Sequence, residues 1–491
     1  MTAAAYLPKS QYIKGKQCAK ALWYHYHRKD LLPEKDDKTE ARFETGREVG
    51  ELARQFFPGG KLVDSKPWEI EQSLQLTQEL IRQGVTVVYE AAALAPDGAY
   101  ARADILVKTD TGAWNLIEVK SSASIKDYHL DDASVQYHTF TQAGYKIDRC
   151  LILHINNSYV RQGVLDLSAL FTQVDVTDRV HAQQPAIPAL VASLRALTAQ
   201  SQEPQIGIGP QCSSPFDCDY RHHCWKDVPE YSIFDVLTAK KAFELAAATG
   251  SYQVKDIPAA SIPKGAKAID LRSYLDNTTY TDKAKLQEFL APLQYPLYYL
   301  DFETLGPAIP MYDGTRPYQP VPFQFSLHVE HAADKLESKG YLHWQQTDPR
   351  EEFVEQLLKQ CGTAGPIIVY NKVFEAGCIT ALAEFFPQHA AALLALNERM
   401  VDLLVPFKQR WLYHPKQNGS ASIKSVLPAF TGKSYEELDI AEGSAASEQY
   451  MAFMLGKLSN GEKEKLYSDL IAYCEMDTHA MVELMRIARS Y

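Results

Sequence analysis

The stretch Ala101-Arg-Ala-Asp104-Ile-Leu-Val-Lys108, the turn Asp110-Thr-Gly112 and the run Trp114-Asn-Leu-Ile-Glu118-Val-Lys120-Ser-Ser122 decide the reading of the first half of the chain. Two apolar runs joined by an Asp- and Gly-containing turn predict a β-hairpin. Side chains alternate across a strand, so Glu118 and Lys120 share one face and Ile117 and Val119 the other. Asp104 on the preceding strand can meet the first pair. Two carboxylates and a lysine so placed can hold Mg2+ or Mn2+, orient a water and stabilise charge on a phosphate under attack. Such hard cations favour oxygen ligands. A lone Glu-x-Lys is equally a surface ion pair. The specific signal is the order: after the hairpin, residues 132–144 fit a helix, and Cys150-Leu-Ile-Leu-His-Ile155 reads as a strand.

A second acidic strand begins the last third of the chain, Leu297-Tyr-Tyr-Leu-Asp301-Phe-Glu303-Thr304. Asp301 and Glu303 share one face, and unpaired carboxylates in an apolar strand are costly, so a metal or counter-charge is expected. Pro366-Ile-Ile-Val-Tyr-Asn-Lys-Val-Phe-Glu375 reads as a strand breaking into a helix that carries Glu375. A final helix is predicted over 463–489, with Leu466, Leu470, Tyr473, Asp477, Met481 and Leu484 along one stripe. Taken alone, that helix reads as a core element with a half-buried Tyr473–Asp477 pair.

A chain of 491 residues exceeds one ordinary core and predicts two or three domains. Its 46% hydrophobic and 23% charged residues are those of a soluble globular protein. No run reaches bilayer length and the first residues carry no signal-peptide core, so a cytoplasmic location and no membrane partner are expected. The formal charge of −11 argues against a generally basic nucleic-acid coat, yet a local basic groove is compatible with it. Of eight cysteines, Cys150, Cys361, Cys378 and Cys474 sit in apolar contexts and read as core thiols. Cys212, Cys218 and Cys224 crowd together, with Cys18 far upstream, which suggests metal rather than disulfides in a reducing compartment. Zinc held by three cysteines and His222 or His223 is the alternative to an iron–sulfur cluster. Residues 231–290, punctuated by Pro and Gly, read as a small helical connector.

On these residues the first part of the chain resembles the RecB-like branch of the PD-(D/E)XK nucleases. The resemblance implies Asp104 and Glu118 as metal ligands and Lys120 as the catalytic lysine. Gln136, with Phe140 four residues on, is similar to the Q-x-x-x-Y helix of that branch, with Phe in place of Tyr. The branch often has a metal-binding His in its early helix; the corresponding stretch here has none and offers Glu48 or Glu51. Glu90 reads as structural. A distant cysteine followed by a late triplet resembles the iron–sulfur subset of the branch, implying a 4Fe–4S cluster on Cys18, Cys212, Cys218 and Cys224. Closing so long a loop restricts the unfolded chain strongly, so its first role is structural.

The last part resembles the DEDD exonucleases of the RNase H-like fold, in their tyrosine variant. Asp301, Glu303, Glu375 and Asp477 are then the four acids that bind two divalent ions, and Tyr473 orients the attacking water. The second motif usually ends in Asp, where this chain has Glu375. Asp402 reads as a group behind the metal site or as a helix cap. Tyr295, Tyr298, Tyr312, Tyr318 and Phe323 read as core more than as base-stacking platforms. The whole resembles a bacterial family of such fusions. The expectation is therefore an α/β chain: a nuclease domain over 1–230, the connector over 231–290 and an RNase H-like exonuclease domain over 291–491. It would hydrolyse DNA, at single strands or ends, with Mg2+ or Mn2+, in DNA repair or defence against foreign DNA. RNA trimming, or a nucleic-acid-binding scaffold with one or both sites inactive, are the competing expectations.

Overall fold

The hairpin of the first half forms with Lys108 opposite Trp114 and Ile105 opposite Ile117. In the computed structural model, which describes residues 6–34, 37–435, 440 and 442–491, it is the centre of a seven-stranded sheet. The strands are β1 (Leu7–Pro8), β2 (Lys61–Leu62), β3 (Val87–Leu94), β4 (Ala99–Lys108), β5 (Trp114–Lys120), β6 (Ile147–Ile155) and β7 (Phe171–Asp175). Their order is β2-β3-β4-β5-β6-β7, with β1 added to β4. β5 and β6 run parallel, and the helix Asp127–Gln142 connects them. That helix covers one face, where Ala133 and Phe140 meet Leu106, Leu116 and Ile152. The helix Asp37–Phe56 covers the other, where Val49 and Ala53 meet Ile105, Ile117 and Leu153. Alternation along each strand thus feeds two cores, as period 2 requires.

The last third is built on a five-stranded sheet, β11-β10-β9-β12-β13. With β8 (Tyr280–Thr281) preceding it, the strands are β9 (Leu297–Leu305), β10 (Val321–Ala332), β11 (Lys335–Leu342), β12 (Ile367–Val369) and β13 (Met400–Asp402), and β14 (Leu412–Tyr413) follows. β9, β10 and β11 are antiparallel; β12 and β13 add in parallel to β9. Leu300, Phe302, Phe325 and Phe353 form the core of one face. Against the sheet packs the 31-residue helix Asn460–Ser490, capped by Ser459, whose side chain accepts from the Glu462 N–H. Gln324 reaches its Leu470 carbonyl, and Ser326 bonds Thr478.

Two compact units result, Met1–Asp227 with Pro307–Tyr318, and Val228–Gly306 with Gln319–Tyr491. The stretch read as a connector has its own small core of Tyr231, Ile233, Val236 and Leu271 and belongs to the second unit. There Asp270 takes two bonds from the guanidinium of Arg410, at 2.6 and 2.9 Å, fully out of water. The segment Pro307–Tyr318, between β9 and β10, belongs to the first unit. Its Pro310 and Met311 carbonyls accept from Arg161, and the Tyr318 hydroxyl bonds the Ser121 carbonyl. Among the described residues no single helix is long and apolar enough to cross a membrane.

Candidate functional site

In the first unit β1 and β5 lie against the same edge of β4 at different places. β1 pairs with Ala99 and Tyr100, β5 with Ile105 onward, and the fork between them holds the acidic site. Asp104 accepts the Val119 N–H at 2.6 Å, which fixes it beside the end of β5. Glu118 is 2% exposed and fully engaged. Its Oε1 accepts from Lys120 at 2.8 Å and from Lys9 at 2.7 Å, while its Oε2 accepts from Gln136. Lys120 also bonds Asp132 at 2.5 Å. The residues quoted from the hairpin therefore converge, and Phe140 is core.

Burial resists charge on Glu118, but Lys120 and Lys9 overcome it and hold the carboxyl down at about 2. Asp104 lacks such partners at bonding distance; burial and then repulsion from Glu118 push it up to about 7. Desolvation opposes the charge on Lys120, and Glu118 and Asp132 outweigh it and raise its pKa. Pairs of titratable groups pushed apart in this way mark functional sites more often than chance.

Both carboxylates line a cavity of about 740 Å³ that is rimmed by Arg42, Arg47, Arg54 and Arg102. Glu51 lines it too, and among the early-helix acids named from the sequence it is the one placed there. Glu90 adopts φ 57° opposite Asp104, a left-handed state costly for a non-glycine residue, and pairs with Arg54 and Arg102. Gly46 and Gly50 lie on the cavity side of the Asp37–Phe56 helix, and a Cβ on either would meet open space.

Cys18, Cys212, Cys218 and Cys224 line one small cavity in the same unit; neither His222 nor His223 lines it. Burial raises the Cys218 thiol to about 11, with Cys18 and Cys212 adding to it, and burial likewise raises Cys224. No three of these sulfurs lie within 4.8 Å of one another; among the described residues the group that meets that spacing is Asp301, Glu303 and Cys474. A single tetrahedral ion with four thiolates would draw the sulfurs to about 3.8 Å. Four thiols from two distant segments form a donor set that an iron–sulfur cluster or a zinc ion can use.

In the second unit Asp301, Glu303, Glu375, Tyr473 and Asp477 line one cavity of about 290 Å³. β9 supplies the first two on one face, the first turn of the helix Lys372–Phe385 supplies Glu375, and the final helix supplies Tyr473 and Asp477. Burial, then Asp477 and other neighbouring acids, hold Asp301 and Glu303 well above the carboxylate range. Burial and Asp402 push Glu375 up to about 8, and its Oε2 has no hydrogen-bond partner. Asp477 is raised to about 6 by burial, moderated by the Tyr435 hydroxyl that donates to it at 2.8 Å. Lys424 is the cation in the lining and donates to the Tyr473 hydroxyl at 3.2 Å.

Cys474 is buried, but it lies against the acids, with its Sγ 4.0 Å from Asp301 Oδ2. Asp402 acts as a local cap, accepting from the Asn371 and Leu404 N–H groups. Lys9, Asp132, Arg102, Lys424 and Tyr435 were missed. Only Lys9 had a signal within reach, since it sits nine residues before Cys18 in a segment already tied to the first site.

A family model described as a domain of unknown function, DUF2779, matches residues 298–422, a span that includes Asp301, Glu303 and Glu375 and stops before Tyr473. The uncharacterized protein MG366 homolog of Mycoplasma pneumoniae is 28% identical over 234 residues, covering 44% of this chain and 35% of that one. Uncharacterized protein UU173 of Ureaplasma parvum is 27% identical over 217 residues, covering 40% and 31%. The crystal structure of SSO0001 aligns with a TM-score of 0.27 and 12% identity over 47% of this chain and 90% of that one. The chain thus spans about a third of the length of the curated relatives it matches.

Proposed function

We propose that the chain is a divalent-metal-dependent nuclease with two active sites. The first, of RecB-like PD-(D/E)XK type, uses Asp104, Glu118, Lys120 and Gln136. The second, of RNase H-like DEDD type, uses Asp301, Glu303, Glu375, Tyr473 and Asp477. The observation that carries the reading is the second cavity: three buried acids and the half-buried Asp301, from three distant segments, line it together with Lys424, and Glu375 has an oxygen without a hydrogen-bond partner among the described residues. Such a cluster is stable as carboxylates only around cations. Two Mg2+ or Mn2+ ions would supply the charge that activates water and stabilises the leaving oxygen.

The chain's own groups then have defined tasks. Tyr473, steadied by Lys424, orients the incoming water, and Tyr435 fixes the Asp477 carboxylate. In the first site Gln136 fixes Glu118 and Asp132 holds the Lys120 ammonium in place for the phosphate. Arginines at the rim of that cavity suit a phosphodiester backbone. Cys18, Cys212, Cys218 and Cys224 hold a 4Fe–4S cluster that staples the first unit. DNA, at single strands or ends, is the substrate, in repair or in defence against foreign DNA.

Labelled single- and double-stranded DNA and RNA, incubated in Mg2+ and in Mn2+ with wild type, Lys120→Ala, Asp301→Ala and the double variant, test the reading. DNA degradation lost in the double variant and reduced in each single one supports it. Intact substrate throughout, with binding retained, leaves a scaffold instead.

A further inference from the structure

Lys9 reaches Glu118 from outside the hairpin, at the start of the helix Lys9–Gln17. The other end of this nine-residue helix stops at Cys18, whose N–H closes on the Lys14 carbonyl as the chain turns extended. One rigid element therefore carries a ligand of the acidic site at its first residue and adjoins a thiol of the cysteine cavity at its last. Along its length it is held to the cysteine loop. Gln17 donates to the Gln211 and Phe216 carbonyls at 2.8 and 2.7 Å, and Lys14 pairs with Asp219. Lys16 pairs with Asp131 at 2.5 Å, the neighbour of the residue that holds Lys120. Gly15 allows the closest approach, because a Cβ there would fall 2.6 Å from Leu194. A helix clamped this tightly transmits displacement as a body rather than absorbing it.

We propose that Lys9 is a positioning residue of the first site, and that the four-thiol centre sets its place through the helix Lys9–Gln17. Lys9 shares Glu118 Oε1 with Lys120, so it would compete with a divalent ion for that carboxylate while keeping it ordered in the ion's absence. Loss of the group held by the thiols frees the helix, withdraws Lys9 and changes metal affinity at the carboxylates. The inference rests on the reading of Asp104 and Glu118 as metal ligands.

The test is Mn2+ affinity, read by electron paramagnetic resonance on the full chain in an Asp301→Asn/Asp477→Asn background that silences the second cavity. Hydrogen exchange over residues 9–17 is measured alongside. Lys9→Met should tighten Mn2+ binding about tenfold, the scale of removing one neighbouring unit charge. Cys18→Ser should tighten it in the same direction and speed exchange in the helix. Gln17→Ala, which cuts the helix from the cysteine loop and leaves all four thiols intact, should do the same to a smaller extent even if Cys18→Ser does not fold. Neither should add to Lys9→Met. Effects that add to Lys9→Met, or faster exchange with unchanged affinity, overturn the proposal. Asp104→Asn separates it from its premise: if that variant binds Mn2+ normally, the metal reading of the first site fails as well.

Discussion

In the first unit Glu118 lies between two lysines and a glutamine and is held at about 2. In the second, four acids line a cavity with Lys424, and Glu375 is pushed up to about 8. Both sites bury carboxylates, yet in the first two lysines hold the acid ionised, whereas in the second burial and mutual repulsion favour the protonated acids. A balanced site is ordered before any metal binds and must exchange lysine contacts to take one. A starved site gains more from the metal and pays for its absence in stability.

The contrast can be broken first through activity. Asp477→Asn should lower hydrolysis by the second unit about 10³-fold, and Lys120→Met should lower that of the first by a similar factor, the range for lost electrostatic or acid–base groups. Initial rates on a substrate cut by both units should fall furthest in the double variant; equal rates in wild type and Asp477→Asn would falsify the second site.

A second test is pH. Asp301, Glu303, Glu375 and Asp477 bind protons more tightly folded than unfolded, so their stabilising effect is complete at low pH and is lost as pH rises through the folded values. The metal-free second unit should therefore lose stability as pH rises between about pH 4 and pH 8. The first unit should be flatter. Glu118, depressed, contributes stability that is lost only on acidification toward about 2, whereas Asp104, raised to about 7, works the other way. Calorimetry from pH 5 to pH 8 with chelator checks both, and a second-unit transition that strengthens with pH would sink the starved-site picture.

Next in size is the metal itself. Mn2+ at about one hundred times its dissociation constant adds about 2.7 kcal/mol to a unit with one binding site. At a given Mn2+ concentration the second-unit transition should shift more than the first, because in the first Lys9 and Lys120 already hold Glu118. The smallest effect is Gly50→Ala. With open space at its Cβ, the substitution should stabilise the Asp37–Phe56 helix by about 1 kcal/mol. A drop in first-site turnover accompanying that gain would show that substrate uses the space.

The strands carrying Asp104, Glu118, Asp301 and Glu303 were legible because alternation fixes which residues share a face, and that rule needs no tertiary knowledge. Tyr473 and Asp477 followed from helical spacing. Asp132, Lys424 and Tyr435 were not legible, because each arrives from a helix or loop whose distance in sequence from its partner has no period; Lys9 had only its nearness to Cys18 as a signal. Cys474 is buried as its apolar context implied, but that context describes the helix stripe and does not announce the acids it faces, which come from β9. The stretch 231–290 gave helices and turns correctly in kind, but its allegiance to the second unit rests on pairs such as Asp270–Arg410 that no local pattern announces.

The segment Pro307–Tyr318 has a consequence during synthesis. The first unit holds part of its packing in residues that the ribosome makes after Asp227, with Ala308 buried and Arg161 waiting for the Pro310 and Met311 carbonyls. At about 5–20 residues per second, nascent chains fold from the N-terminus as they emerge. The first unit must therefore wait on the order of ten seconds for its last piece, while β9 of the second is already out. A fragment ending at Asp227 is thus an unfinished nascent chain, and a faithful excision of the first unit has to carry residues 307–318 with it.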